Sequence, residues 1–161
     1  MCDDTTCKKS FALRRGGRMN LHFTIAMHAL AYLAKHHDSS FSSSQLAELI
    51  CVNPVQLRTV MTQLVHNDLV IASPGKFGGY KSIENAQEIQ LSLIFNLFRI
   101  KTPDTRVITG EPTSTCAIAR NMKSIIEDFQ TEELTLLSDF YSHKTIGDIL
   151  TIVNSKENSH D

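Results

Sequence analysis

Residues 42–83, SSSQLAELICVNPVQLRTVMTQLVHNDLVIASPGKFGGYKSI, constrain the fold more than any other stretch of the chain. Ser42 followed three residues later by Gln45 has capping-box spacing, in which each side chain satisfies the other's free backbone N–H. Leu46, Ala47, Leu49 and Ile50 then make an apolar stripe at helical period. Cys51-Val52-Asn53 interrupts it. Asn53-Pro54 opens a second helix with a capping amide and a proline placed where no N–H is needed, and Leu57, Val60, Met61 and Leu64 recur at i, i+3, i+4 and i+7 on one inward face. Helices joined by so short a turn cross steeply. From Leu69 the period changes: Leu69–Ala72 reads as an apolar strand, Ser73–Gly79 as a turn and Tyr80–Ile83 as the return strand. The predicted fold is mainly α with a small β-hairpin wing, a winged helix-turn-helix.

The outward face of the second helix carries Gln56, Arg58, Thr59, Thr62, Gln63 and His66 behind Asn53 and Pro54. On a helix lying in a DNA major groove these types suit the edges presented there: arginine pairs with guanine, glutamine with adenine, threonine with a phosphate or a thymine methyl. In the turn of the hairpin, three glycines among five residues, including Gly78 and Gly79, permit positive φ and close approach to a partner. Lys76 at the tip and Lys81 on the return are placed for phosphate or the minor groove. A polar helix face is by itself as well explained by solvation, and a Gly-rich turn by any hairpin. Their succession points to nucleic acid.

Residues 1–18 lack a helical or strand period, hold five basic against two acidic residues, and read as a disordered leader or tag. Removing that +3 from the formal net charge of −1 leaves the remainder at −4, mild counter-evidence for a DNA binder unless the charge is segregated. Arg58, Lys76 and Lys81 are expected on one face, and Glu127, Asp128, Glu132 and Glu133 in a distant helix. Residues 19–100 form the expected DNA-binding domain, beginning with an Ala-rich helix over 20–36 whose Leu21, Ile25, Ala26, Ala29, Leu30, Leu33 and Ala34 point inward. A further helix over Leu91–Ile100 closes that domain. Residues 101–115 are a loop. Residues 116–154 are dimerisation helices, a long one from Cys116 to about His143 with Ala119, Met122, Ile126, Phe129, Leu136, Leu137, Phe140 and Tyr141 as its apolar stripe, then a short one capped by Thr145 and Asp148. Residues 155–161 are a polar tail. A helix so long, attached to a domain already closed, needs a partner for its stripe, and a second copy is the economical choice. No apolar run is long enough to span a membrane and no secretory core follows the basic leader, so the expected location is cytoplasmic. There is no phosphate loop, dinucleotide fingerprint, nucleophile elbow or metal-ligand spacing, which argues against an enzyme.

The ICVNPVQLRTV turn and helix, the HNDLV lead-in, the GKFGGY wing, the EIQLSLIFNLF segment and the late TIGDIL together resemble the Rrf-two family of bacterial winged-helix transcription regulators, the IscR/NsrR/CymR group, over Met19 to about Val153. The resemblance implies a homodimeric repressor on a pseudo-palindromic operator in double-stranded DNA, its long C-terminal helix crossing its partner's. Pro74 stands where relatives carry an arginine before the first wing glycine, leaving Lys76 as the nearest substitute.

Many members of the family hold an iron–sulfur cluster through three closely spaced cysteines before the long helix, whereas residues 101–125 here contain only Cys116. No cluster, metal or other cofactor is therefore expected. The resemblance is to the cluster-free, thiol-switch subgroup of HypR type, which implies a redox-sensing pair: Cys116 of one subunit meeting Cys51 of the other in an intersubunit disulfide. The alternatives are a constitutive or ligand-responsive regulator whose cysteines are small buried hydrophobes, and a winged-helix module that uses the same face for protein.

Overall fold

The computed structural model describes residues 20–75, 78–99 and 109–159. The leader, Lys76 and most of the loop expected at 101–115 lie outside them. The elements are α1 (Leu21–Lys35), α2 (Ser43–Leu49), α3 (Pro54–His66), β1 (Val70–Ser73), β2 (Gly79–Ser82), α4 (Leu91–Phe98), α5 (Ala117–Ser142) and α6 (Ile146–Glu157). Contacts divide the chain into two units, one through Ala86 and one from Gln87.

In the first unit α3 packs on α1 and α2, and the antiparallel β1–β2 hairpin closes against α3 and α1. The starts are fixed locally. Asn20 caps α1 by accepting from the His22 N–H, Ser42 and Gln45 form the expected reciprocal capping box on α2, and Asn53 Oδ1 accepts from the Val55 and Gln56 N–H groups at the start of α3. Leu57, Val60, Met61 and Leu64 of α3 are fully buried against Ile25, Ala26, Leu30, Leu33, Leu46 and Ile50 of the same core. Leu21 and Leu49, expected inside, are 55% and 48% exposed. Each sits at the edge of its stripe, and Phe23 takes the core place at the start of α1.

Both α2 and α3 end in full Schellman motifs. After α2, the Val52 N–H reaches the Ala47 carbonyl and the Cys51 N–H the Glu48 carbonyl; after α3, Leu69 reaches Leu64 and Asp68 reaches Val65. The pivotal residue of each motif is left-handed, Cys51 at φ 54° and Asp68 at φ 56°, where glycine is usual. The turn between α2 and α3 thus passes through a left-handed cysteine.

The hairpin register pairs Val70 with Ser82, Ile71 with Lys81, Ala72 with Tyr80 and Ser73 with Gly79. Phe41 adds an isolated antiparallel bridge to β2: its N–H donates to the Tyr80 carbonyl at 3.0 Å and the Tyr80 N–H returns to the Phe41 carbonyl at 2.8 Å. Gly79 makes this possible, because a Cβ there would stand 2.5 Å from the Phe41 carbonyl oxygen on a backbone at φ +157°. Gly79→Ala should therefore cost about 1–3 kcal/mol in urea unfolding. Gly75→Ala, at φ +106° with nothing within 4 Å, should cost only the conformational part, about 1–2 kcal/mol. Equal losses would show that the Phe41 bridge does not matter.

In the second unit α4 packs along α5, with the Phe95 and Tyr141 rings 5.2 Å apart and Asn96 donating to Ser138 at 3.2 Å. The α4 segment, expected with the DNA-binding domain, thus makes its packing contacts with α5. Thr145 and Asp148 form the capping box of α6, which runs to Glu157 and so takes in the first residues of the expected tail. None of the 26 residues of α5 is buried. Ile118, Ile125, Phe129, Leu136 and Phe140 are all between 41% and 71% exposed. At about 100° per residue they fall within a sector of roughly 60°. Of the stripe read from the sequence, Ala119, Met122, Ile126, Leu137 and Tyr141 are half-buried instead, while Ile118 and Ile125 complete the exposed seam.

Candidate DNA-binding face and thiol pair

The two sides of α3 are chemically opposite. Behind lie four fully buried apolar side chains; in front Arg58, Thr59, Thr62, Gln63 and His66 are exposed and Gln56 is half-buried. Several front side chains are held along the helix. Arg58 Nε donates to the Pro54 carbonyl at 3.3 Å, Thr59 Oγ1 to Val55 at 3.1 Å and Thr62 Oγ1 to Arg58 at 2.8 Å. Asn53 is exposed, but its carbonyl oxygen serves the helix start, leaving the amide nitrogen as the outward group. Pro54 supplies the first turn. The front therefore presents the guanidinium of Arg58 and the amides of Asn53 and Gln63 as donors, beside the Thr59 and Thr62 hydroxyl oxygens, whose protons are held by the helix and which face outward as acceptors.

Two features of this face escaped the sequence reading. Val55 is 66% exposed, an apolar side chain of the kind that meets thymine methyl groups. Its position, two residues before Leu57, lies far off the buried stripe, so the signal was present. The second is the link between His22, at a helix start that the sequence already places near DNA, and Gln56: His22 Nε2 is 2.9 Å from Gln56 Oε1 across 34 residues, and nothing local announces that pairing.

On the hairpin, Lys81 is exposed and Gly78 and Gly79 are half-buried beside it, while Lys76 is outside the described residues. Between residues 20 and 86 four basic residues are balanced by four acidic ones. The face must draw on position rather than bulk charge.

Cys51 is exposed and disulfide-bonded; Cys116 is exposed and free. The two are thus not joined to each other within the single chain. Cys116 is the N-cap of α5, and the backbone N–H groups of Ala119 and Ile118 hold its thiol pKa below the ordinary value, outweighing the small opposing effect of burial. The loop before it folds back on the helix, with Glu111 N–H donating to the Ala119 carbonyl at 2.9 Å and the Ser114 hydroxyl accepting from Cys116 N–H at 3.2 Å.

A buried-backed helix with a polar front, entered by a tight turn and followed by a Gly-rich hairpin, defines a winged helix-turn-helix DNA-binding regulator rather than an enzyme. The chain belongs to the Rrf2 family: the family model described as iron-dependent transcriptional regulator matches residues 19–158. Among solved structures it is similar to a transcriptional regulator from Lactobacillus plantarum, with 26% identity, a TM-score of 0.77, and 89% of this chain and 100% of that one covered. IscR of T. potens matches at 17% identity and TM-score 0.59, covering 86% and 89% of the two chains. The oxidised form of Staphylococcus aureus CymR matches at 17% and 0.56, covering 81% and 94%. Both show the shared fold. No curated protein matches.

The family description raises iron. A cluster takes about four thiolate or imidazole ligands; residues 101–125 offer the single thiol of Cys116, and among the described residues no group of three or more His, Cys, Asp or Glu side chains converges. Among the described residues no helix is long and apolar enough to cross a membrane.

Proposed function

We propose that this regulator is a cytoplasmic repressor that binds a pseudo-palindromic operator as a homodimer. The observation that carries the reading is the solvent-facing row Gln56, Arg58, Thr59, Thr62 and Gln63 on a helix whose other face is entirely buried. Asn53 and Pro54 place the start of that helix, and Lys76, Gly78, Gly79 and Lys81 form the wing contact to the flanking backbone. The exposed seam of α5 supports a partner copy, which places two recognition helices for two half-sites. A dimer so seated excludes other proteins from the promoter.

The signal in this proposal is oxidation at Cys116 and Cys51. A peroxide or hypochlorous acid transfers oxygen to the Cys116 thiolate, leaving water or chloride, and the resulting sulfenic acid condenses with a reduced Cys51 thiol of the partner subunit with loss of water. Where Cys51 is already disulfide-bonded, the Cys116 thiolate attacks its sulfur and displaces the former partner as a thiolate, with no further oxidant consumed. Either route places a covalent pull on the left-handed turn that leads into α3.

The test is a non-reducing gel with operator binding followed on the same samples. Wild type should give a covalent dimer, reversed by dithiothreitol, on treatment with peroxide or hypochlorite, and Cys116→Ser and Cys51→Gly should abolish it. Glycine suits the left-handed position, so Cys51→Gly removes the thiol without disturbing the turn. Labelling of Cys116 by iodoacetamide should persist to lower pH than that of a free cysteine, the direction that its lowered pKa requires. A covalent dimer that survives in Cys51→Gly, or DNA binding indifferent to oxidant, would sink the switch. The second outcome would favour a constitutive or ligand-responsive repressor.

A further inference from the structure

We infer that Gly110 is a positioning residue for the Cys116 thiol: a residue without a Cβ lets the segment before α5 fold back onto the helix and lock the cap from which the sulfur faces the first-turn N–H groups. The inference rests on the reading of Cys116 as the reacting thiol, and it names the part of the chain that prepares it.

Gly110 stands at φ +105°, in the half of backbone space that glycine enters without steric cost. A Cβ added there would lie 2.6 Å from the Ala119 carbonyl oxygen, 3.1 Å from Met122 Cβ and 3.3 Å from the Lys123 backbone nitrogen. The first and last of these atoms are α5 backbone, which cannot give way without unwinding the helix. The next residue uses the close approach: Glu111 donates its N–H to the same Ala119 carbonyl at 2.9 Å. From that anchor the chain turns back toward the helix start. The Glu111 carboxylate accepts from Thr113 Oγ1 at 3.0 Å, and the Ser114 N–H donates to the Glu111 carbonyl at 2.9 Å. Ser114 then holds the cap from both sides, its hydroxyl oxygen accepting from the Cys116 N–H at 3.2 Å and its carbonyl from Arg120 Nη1 at 3.4 Å.

The Glu111 to Ala119 bond therefore closes residues 111–119 into a clasp with Cys116 inside it. Cys116 is extended at φ −75° and ψ 120°, the conformation from which an N-cap side chain meets the N–H groups of the first turn. Those of Ile118 and Ala119 are the groups that favour its thiolate. Ala119 thus joins the two halves, its N–H serving the sulfur and its carbonyl the strap. With the strap detached, the Cys116 N–H exchanges Ser114 for water, the helix start frays, and the sulfur loses its fixed donors.

The test is iodoacetamide labelling of the full chain over a pH series, with alkylation at Cys116 read by mass spectrometry of its own peptide so that the other cysteines do not enter. The thiolate is the nucleophile, so the rate follows the thiolate fraction. Gly110→Ala should move the midpoint for Cys116 upward, toward that of an unstructured cysteine peptide. Ser114→Ala should move it in the same direction by less, since the Glu111 anchor remains, and Ser114→Thr, whose hydroxyl accepts the same bond, should keep the wild-type profile. The helical circular dichroism should hold in all three, because the strap lets go rather than α5. Profiles of Gly110→Ala and Ser114→Ala that superimpose on a lowered wild-type profile overturn the inference and leave the thiol reading standing. A shift that appears only with loss of helical signal overturns it as well. If Gly110→Ala fails to fold, the two Ser114 variants decide, equal profiles overturning the inference. A wild-type midpoint no lower than that of the free peptide overturns the reading of Cys116 as an activated thiol, and this inference with it.

Discussion

Leu136→Glu should convert the protein to a monomer and lower its affinity for a palindromic duplex by at least two orders of magnitude. Leu136 is 71% exposed on the single chain, and Phe129, one step along the same seam, is 65% exposed. Fully burying such a side chain stabilises by about 1.5–3 kcal/mol. Twofold symmetry counts each substitution twice, so loss of the contact amounts to about 3–6 kcal/mol, or roughly 10²–10⁴ in the dimer constant. The added carboxylates would also have to be desolvated face to face, which deepens the loss. Helix α5 itself should survive, since Leu136 has little to lose in the isolated subunit and glutamate is a good helix former. Light scattering on a sizing column reads the mass, and a duplex with one half-site separates loss of pairing from loss of readout: its affinity should hardly change. A Leu136→Glu protein that remains dimeric would show that the seam serves something other than a second copy.

That seam also shows where the sequence was readable and where it was not. The capping boxes of α2 and α6, Asn53-Pro54, and the buried faces of α1 and α3 follow from residues within a turn or two of one another, so local reading found them. On α5 apolar residues occur on more than one side. Periodicity alone merged the side that meets α4, with Leu137 and Tyr141, and the bare one with Phe129, Leu136 and Phe140, and it missed Ile118 and Ile125. The bridge between Phe41 and Tyr80 and the bond from His22 to Gln56 join residues far apart in sequence, and only packing brings them together. Cys51 in a left-handed turn was hidden for a different reason. The position calls for glycine, and a cysteine there reads as an ordinary interruption until the two Schellman bonds around it are seen. The exposed polar row of α3 was legible by subtraction, being what the buried stripe leaves over; Val55 was passed over because an apolar residue is habitually assigned to a core.

The opposite faces of α3 give the second large effect, because substitutions two residues apart should separate folding from readout. Leu57 is fully buried among Val60, Met61 and Leu64 of its own helix and the apolar faces of α1 and α2. Leu57→Ala removes the buried branch and leaves a cavity that neighbouring helices close only in part, at a cost of about 2–5 kcal/mol. For a domain of this size each kcal/mol lowers the melting temperature by about 4–8 °C, so a fall on the order of 10 °C or more is expected, with DNA binding lost only as the fold is lost. Val55→Ala should do the reverse. At 66% exposure it should change stability by no more than about 0.5 kcal/mol, yet weaken binding to a selected duplex where its methyl groups meet thymine. Thermal unfolding and duplex titration on both variants make the comparison. If Val55→Ala melts early, or binds every duplex as wild type does, its exposed side chain belongs to the fold rather than to the readout, and the face that touches DNA must be redrawn around Gln56, Arg58 and Thr59.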